Sequence, residues 1–231
     1  YDDKFSDLIM VLESSEASLY AKAAVAGILA ASQDNSVRDY LHLFGKRVIQ
    51  QLYEYKLEEY VITRDTAAES SVYMRMLLRE RAWSLTRLIV CLIAPEQNRE
   101  ARDLFKSLYS SNEELVSNAV EVLQNMGERQ LVYHIIPVLE NISLENIAAY
   151  AMKAFAMREK DLRIILGKYL NSSDHELKEA AIHTVCMSEI RDLIPVLKKI
   201  ETDTSLDDSV LSTCRWATAT LRARGITMQY Q

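Results

Sequence analysis

The stretch SLYSSNEELVSNAVEVLQNM (107–126) returns later in the chain as KYLNSSDHELKEAAIHTVCM (168–187). Leu108 answers Leu170, Ser110-Ser111 answers Ser172-Ser173, and Asn112 answers Asp174. Glu114-Leu115 answers Glu176-Leu177 and Ala119 answers Ala181, all at an offset of 62. Asn112 reads as a helix N-cap followed by acidic first-turn residues, because a side-chain oxygen there satisfies a free backbone N–H and carboxylates suit the positive helix end. Leu115, Ala119, Val122, Leu123 and Met126 then recur at helical spacing toward an expected core, and Gly127 ends the helix.

Working outward, the same couplet appears between the two copies. A second helix over about 128–141 carries Leu131, Ile135, Val138 and Leu139. Ser143 caps a helix with Ile147, Ala148, Ala151 and Phe155, whose partner bears Leu162, Ile165, Leu166 and Leu170. Asp174 caps a helix with Leu177, Ala181, Ile182 and Val185, whose partner bears Ile190, Leu193, Ile194 and Leu197. IIPVL (135–139) and LIPVL (193–197) place a proline in both second helices. A last helix over about 206–224 shows Val210, Cys214, Ala217 and Leu221 inward, and Gly225 stops it. The offset of 62 is therefore two units of about 30 residues each, a two-helix repeat that must be covered by its neighbour to hide its apolar stripe.

Composition agrees. Five Gly and three Pro in 231 residues are too few for the turns of a sheet protein, which leaves an all-α chain. Before the regular couplets, helices over 4–13 and 16–31 form one more pair, with Ala21, Ala24, Val25 and Ile28 expected inward. Two long patterns follow, 36–62 and 66–93, each about 40 Å at 1.5 Å per residue, with Asp65-Thr66 at the break. The expected organisation is a helix pair (1–35), a long helical hairpin (36–94) inserted in or capping the array, and regular repeats (95–231; units 113–141, 144–171 and 174–201), forming one continuous domain.

The couplets resemble HEAT repeats. The resemblance is carried by the cap after a short Ser/Asn/Asp turn, by Leu115, Ala119, Leu177 and Ala181, and by Pro-Val-Leu at 137–139 and 195–197. It covers about 100–224 and, less fully, 1–35. It implies an armadillo-like, right-handed α-α superhelix and specifies architecture, not activity. More narrowly, LLRERAWSLTRLIVCLIAPEQNREARDLFKSLYSSNEELVSNAVEVLQNMGERQLVYHIIPVLEN (77–141) looks like the soluble HEAT-containing region of bacterial nucleotide-transporter-like membrane proteins. That resemblance implies a cytosolic fragment at the inner membrane, attached through segments outside this chain. The start at Tyr1 fits a piece of a longer protein. No signal peptide is visible, and LIVCLIA (88–94) is far shorter than the roughly 20 apolar residues of a bilayer span.

A net charge of −6 argues against nucleic acid as partner, since that affinity comes mostly from neutralising phosphates. Cys91, Cys186 and Cys214 sit in apolar helical stretches and read as reduced, buried thiols of a cytoplasmic protein. His42, His134, His175 and His183 show no metal-ligand spacing. Cys186 lies three residues beyond His183, yet on an expected buried face and with no evident orienting carboxylate or amide. The five isolated glycines write no phosphate-binding loop. Neither a cofactor nor an enzymatic centre is expected.

Cationic residues give the candidate partner surface. Arg75, Arg79, Arg81 and Arg87 cluster on the second long helix. The HEAT resemblance implies that second helices line the concave face, and those carry Arg129, Arg158, Arg163, Arg191, Lys198 and Lys199. Arg79, Arg81, Arg129, Arg163, Arg191 and Lys198 are thus the expected contacts for an acidic protein or peptide segment. The plainer reading is a set of solvated positions offset by Glu128, Glu159, Asp161 and Asp192. Tyr53, Tyr55, Tyr60, Tyr73 and Trp83 would pack the long helices together or, alternatively, face a partner helix. The expected function is a non-enzymatic interaction scaffold. The rivals are a DNA-binding helical-repeat enzyme of the alkylpurine-glycosylase type and a self-associating structural protein.

Overall fold

The structure, a computed structural model, describes residues 5–14, 17–32, 34–94, 99–108, 110–126, 129–140 and 142–225. Among the described residues there is helix and no strand. The elements are α1 (Ser6–Glu13), α2 (Leu19–Ala30), α3 (Asn35–Asp65), α4 (Val72–Ile93), α5 (Arg99–Leu108), α6 (Glu113–Met126), α7 (Arg129–Leu139), α8 (Leu144–Phe155), α9 (Leu162–Leu170), α10 (His175–Met187), α11 (Ile194–Thr202) and α12 (Asp208–Ala223). The all-α expectation is met.

Local chemistry sets the helix starts. Asn112 accepts from Glu114 N (2.9 Å), Ser143 from Asn146 N (3.3 Å) and Asp174 from Leu177 N (3.2 Å). Asp161 and Asp207 do the same for Arg163 N (2.8 Å) and Ser209 N (2.9 Å). Gly225 follows α12 at φ 74°, the left-handed conformation that glycine adopts without a Cβ clash. Gly127 and Pro95 lie outside the described residues. Asp65-Thr66 closes α3: Thr66 N and Oγ1 both donate to Ile62 O. A 3-10 turn (Ala68–Ser70) intervenes before Val72.

The chain divides into two compact units, residues 1–55 with 81–155 and residues 56–80 with 156–231. In the first, α1 packs on α2, α5 on α6 and α6 on α7. Its core includes Leu52, Tyr53, Ala82, Leu88, Leu123, Leu131, Ile135, Ala148 and Ala151. A Cβ on Gly45 would approach Leu131 Cδ1 to 2.9 Å, so α3 meets α7 at a point where no larger residue fits without displacing that leucine. In the second unit, α10 packs on α9 and α12, and α11 on α9 and α12. Its centre is Leu166, Leu170, Ala181, Ile182, Val185, Leu197, Val210, Cys214 and Leu221.

Two inward faces differ from expectation. Among the described side chains of α6, Ala119, Val120 and Leu123 are buried, while Leu115 (45%) and Val122 (46%) are exposed. Among the described side chains of α2, Ala23, Ala26 and Leu29 are buried, while Ile28 is half exposed. Both helices carry apolar residues on more than one face, so periodicity alone leaves their rotation open. The two prolines also differ in place: Pro137 lies inside α7, whereas Pro195 occupies the first turn of α11. Only the second is a position where a missing N–H costs nothing.

Candidate functional site

Two adjacent carboxylates on α3, Glu58 and Glu59, are buried in the second unit, as is Lys178 on α10. Helical phase puts them there: Glu58 is one turn before Val61 and Ile62, and Glu59 one turn before Ile62, both buried. A buried carboxylate must be met by charge or hydrogen bonds, and both are. Glu58 takes Lys168 Nζ at 2.9 Å, Lys160 Nζ at 3.8 Å, and the hydroxyl of buried Tyr169. Glu59 takes Lys56 Nζ at 3.2 Å and the Arg79 guanidinium. These groups knit α3, α4 and α9 and leave Arg79, Lys160 and Lys168 open to water, while Lys56 is mostly covered.

The expected cationic contacts therefore have several different settings. Arg79 is exposed but committed to Glu59. Arg81 is half-buried on α4. Arg129 opens α7, and its side chain lies outside the described residues, as does that of Glu128. Arg163 is exposed and donates to Asp161 (3.0 Å) and Asp192 (2.7 Å), and that guanidinium holds the Asp161 carboxyl below its ordinary range. Arg191 is exposed on a 3-10 turn (Arg191–Leu193), and Lys198 is half-buried on α11. Glu159 is taken by Arg64 at 2.6 Å. The second unit brings Arg163 and Asp192 together as an ion pair, so part of the positive charge is spent internally.

His183 and Cys186 face different partners. The His183 ring stacks on Trp216 of α12, with centroids 5.3 Å apart and planes 7° from parallel. The Cys186 thiol points to Ala217 O at 3.5 Å, and burial pushes its pKa up. Cys214 points to Leu197 O at 3.0 Å and is pushed up to about 12 by burial and by Glu201. All three cysteines are buried free thiols. A protonated thiol is a poor nucleophile and metal ligand. Among the described residues no three His, Cys, Asp or Glu side chains come together as a metal set.

In the first unit, Tyr53 is fully buried rather than displayed to a partner. Its hydroxyl donates to His134 O at 2.7 Å, one turn before Pro137. Its ring packs at 5.4 Å from Tyr150 and 5.0 Å from Phe155, both on α8. His134 Nδ1 lies 2.9 Å from the Tyr150 hydroxyl. Burial, and then the charge of Lys46, lowers the pKa of this imidazole. Three helices, α3, α7 and α8, are thereby pinned at one aromatic node.

The same unit contains an open groove of about 580 Å³. Buried Leu108, Val120 and Leu139 form its apolar floor, and Trp83 (45% exposed), Glu113 and Glu140 stand along it. Trp83 is an aromatic of the expected set that does present itself to solvent. The groove was not legible beforehand because it draws on α4, α5, α6 and α7 at once.

No family model matches the chain, nor does any curated protein or solved structure. Among the described residues no helix is long and apolar enough to cross a membrane.

Proposed function

We propose that this chain is a helical-repeat recognition module of the HEAT type, a scaffold that captures a protein partner without covalent chemistry. The observation that carries this reading is a repeated buried register. Ala119, Val120 and Leu123 on α6 are hidden, and so are Ala181, Ile182 and Val185, their counterparts 62 residues later on α10. Each of these helices opens with an Asx cap at the equivalent residue, Asn112 and Asp174. Couplets that shelter one another are stable as an array and offer long, preformed surfaces, which suits many weak contacts with a partner.

The right-handed superhelix belongs to this proposal, as does the long hairpin inserted in or capping it. So does a cytosolic place in a bacterial nucleotide-transporter-like membrane protein, which rests on the resemblance of 77–141. The thiol of Cys186 turned to Ala217 O and the ring of His183 turned to Trp216 favour recognition over catalysis.

The test is capture by the immobilised chain, with Arg163→Glu combined with Arg191→Glu as the comparison. Reproducible retention of the same partner, weakened by the double charge reversal, is the expected result. Retention unchanged by the reversal would remove the basic surface from the account, and absence of any saturable partner would remove the recognition reading itself.

A further inference from the structure

The groove of the first unit has a charge pattern of its own. Among the described residues that line it there is no lysine, arginine or histidine, while Glu113 and Glu140 both belong to it and both are exposed. The two carboxylates differ in setting. Glu113 begins α6, where the helix dipole favours a negative charge. Glu140 follows the last residue of α7, where the carbonyl end of the helix is already negative and a further carboxylate is opposed. A cation at Glu140 would relieve that opposition. Trp83 adds an indole, the aromatic ring with the strongest attraction for a cation. Beneath them lies the apolar floor of Leu108, Val120 and Leu139.

We propose that this groove binds a basic, amphipathic segment of a protein partner. An apolar side chain of that segment rests on Leu108, Val120 and Leu139. A lysine or arginine is held by the indole of Trp83 and the carboxylates of Glu113 and Glu140. The proposal deepens the recognition reading and rests on it, but it assigns the opposite charge to the partner from the one the exposed arginines would select. A volume of about 580 Å³ fits a few side chains rather than a whole helix. Affinity should therefore come from one or two anchors, with the charges supplying orientation and salt sensitivity.

The chain has two tryptophans, so Trp216→Phe leaves Trp83 as the single indole reporter. In that background a synthetic peptide with leucines and lysines at helical spacing is titrated while Trp83 emission is followed. The same peptide with glutamate in place of lysine, and one with serine in place of leucine, are run beside it. A saturable emission change with the leucine–lysine peptide alone is expected. Glu113→Gln combined with Glu140→Gln should weaken it roughly five- to tenfold, from two half-solvated pairs and the loss of their cooperation with the indole. Glu121→Gln with Glu145→Gln, equally exposed but outside the groove, should leave it unchanged. Equal response to the glutamate peptide, equal weakening by the control pair, or no Trp83 response would each overturn the proposal. Because the probe is a defined peptide, such a failure is separable from a failure to capture any partner.

Discussion

Glu58 shows how much one side chain can demand of its neighbours. It sits at 2% exposure with Tyr169 and Lys168 on it, while Lys168 keeps contact with water. Removing the carboxylate therefore has an asymmetric cost. The lysines can turn to solvent, but Tyr169, itself buried, loses the acceptor for its hydroxyl. Leaving a buried donor unsatisfied costs about 1–3 kcal/mol, whereas replacing both partners by apolar groups of similar shape is close to neutral. Glu58→Leu should lower stability by about 2–3 kcal/mol, and adding Tyr169→Phe should recover most of that loss. Urea unfolding of the two single variants and the double variant checks this. A double variant as weak as the sum of the singles would mean that the carboxylate is held chiefly by its lysines.

Helix α6 and helix α10 are the same element written twice, and they differ in a way the sequence does not announce. Ala119 and Ala181 are both buried, but Leu115 is 45% exposed where its counterpart Leu177 is 3% exposed. Truncation should follow burial, not sequence equivalence. Leu177→Ala should cost about 2–5 kcal/mol by loss of packing and creation of a cavity. Leu115→Ala should cost under about 1 kcal/mol, and thermal melts of the two variants decide it. The pair also shows what was legible and what was not. The caps at Asn112, Ser143 and Asp174 are local chemistry, a side-chain oxygen and an N–H two or three residues on, so spacing alone revealed them. The rotation of α2 and α6 depends on which of two apolar faces finds a neighbour, and that is decided far along the chain. Glu58 gave no signal in the sequence, because the partners that mark it lie about 110 residues away at Lys168 and Tyr169. The groove at Trp83 needed four helices to be placed before it existed at all.

For the molecule as a whole, acid should act in two separate windows. The first belongs to His134, whose imidazole is lowered by burial and by the charge of Lys46 and which sits among Tyr53, Tyr133, Tyr150 and Phe155. Its folded form binds a proton less readily than the unfolded chain, so protonation favours unfolding. That contribution is intact above the ordinary histidine value of about 6.5 and is lost as pH falls below it, until the folded ring also titrates. The second window belongs to carboxylates whose values are depressed by hydrogen bonds: Glu13 by Tyr40 and Arg47, Asp34 by Ser36, Asp161 by Arg163, and Asp203 by Ser205. Their contribution is complete above the ordinary carboxylate value of about 4 and disappears as pH falls through the depressed ones. Melting temperature followed from about pH 8 to about pH 3 should decline once below about 6.5 and again below about 4. His134→Gln keeps a polar partner for the Tyr150 hydroxyl but cannot take the proton. It should abolish the first decline and leave the second untouched. A first decline that survives in His134→Gln would show that the aromatic node does not sense acid, and that the imidazole is accessible to water in the folded chain.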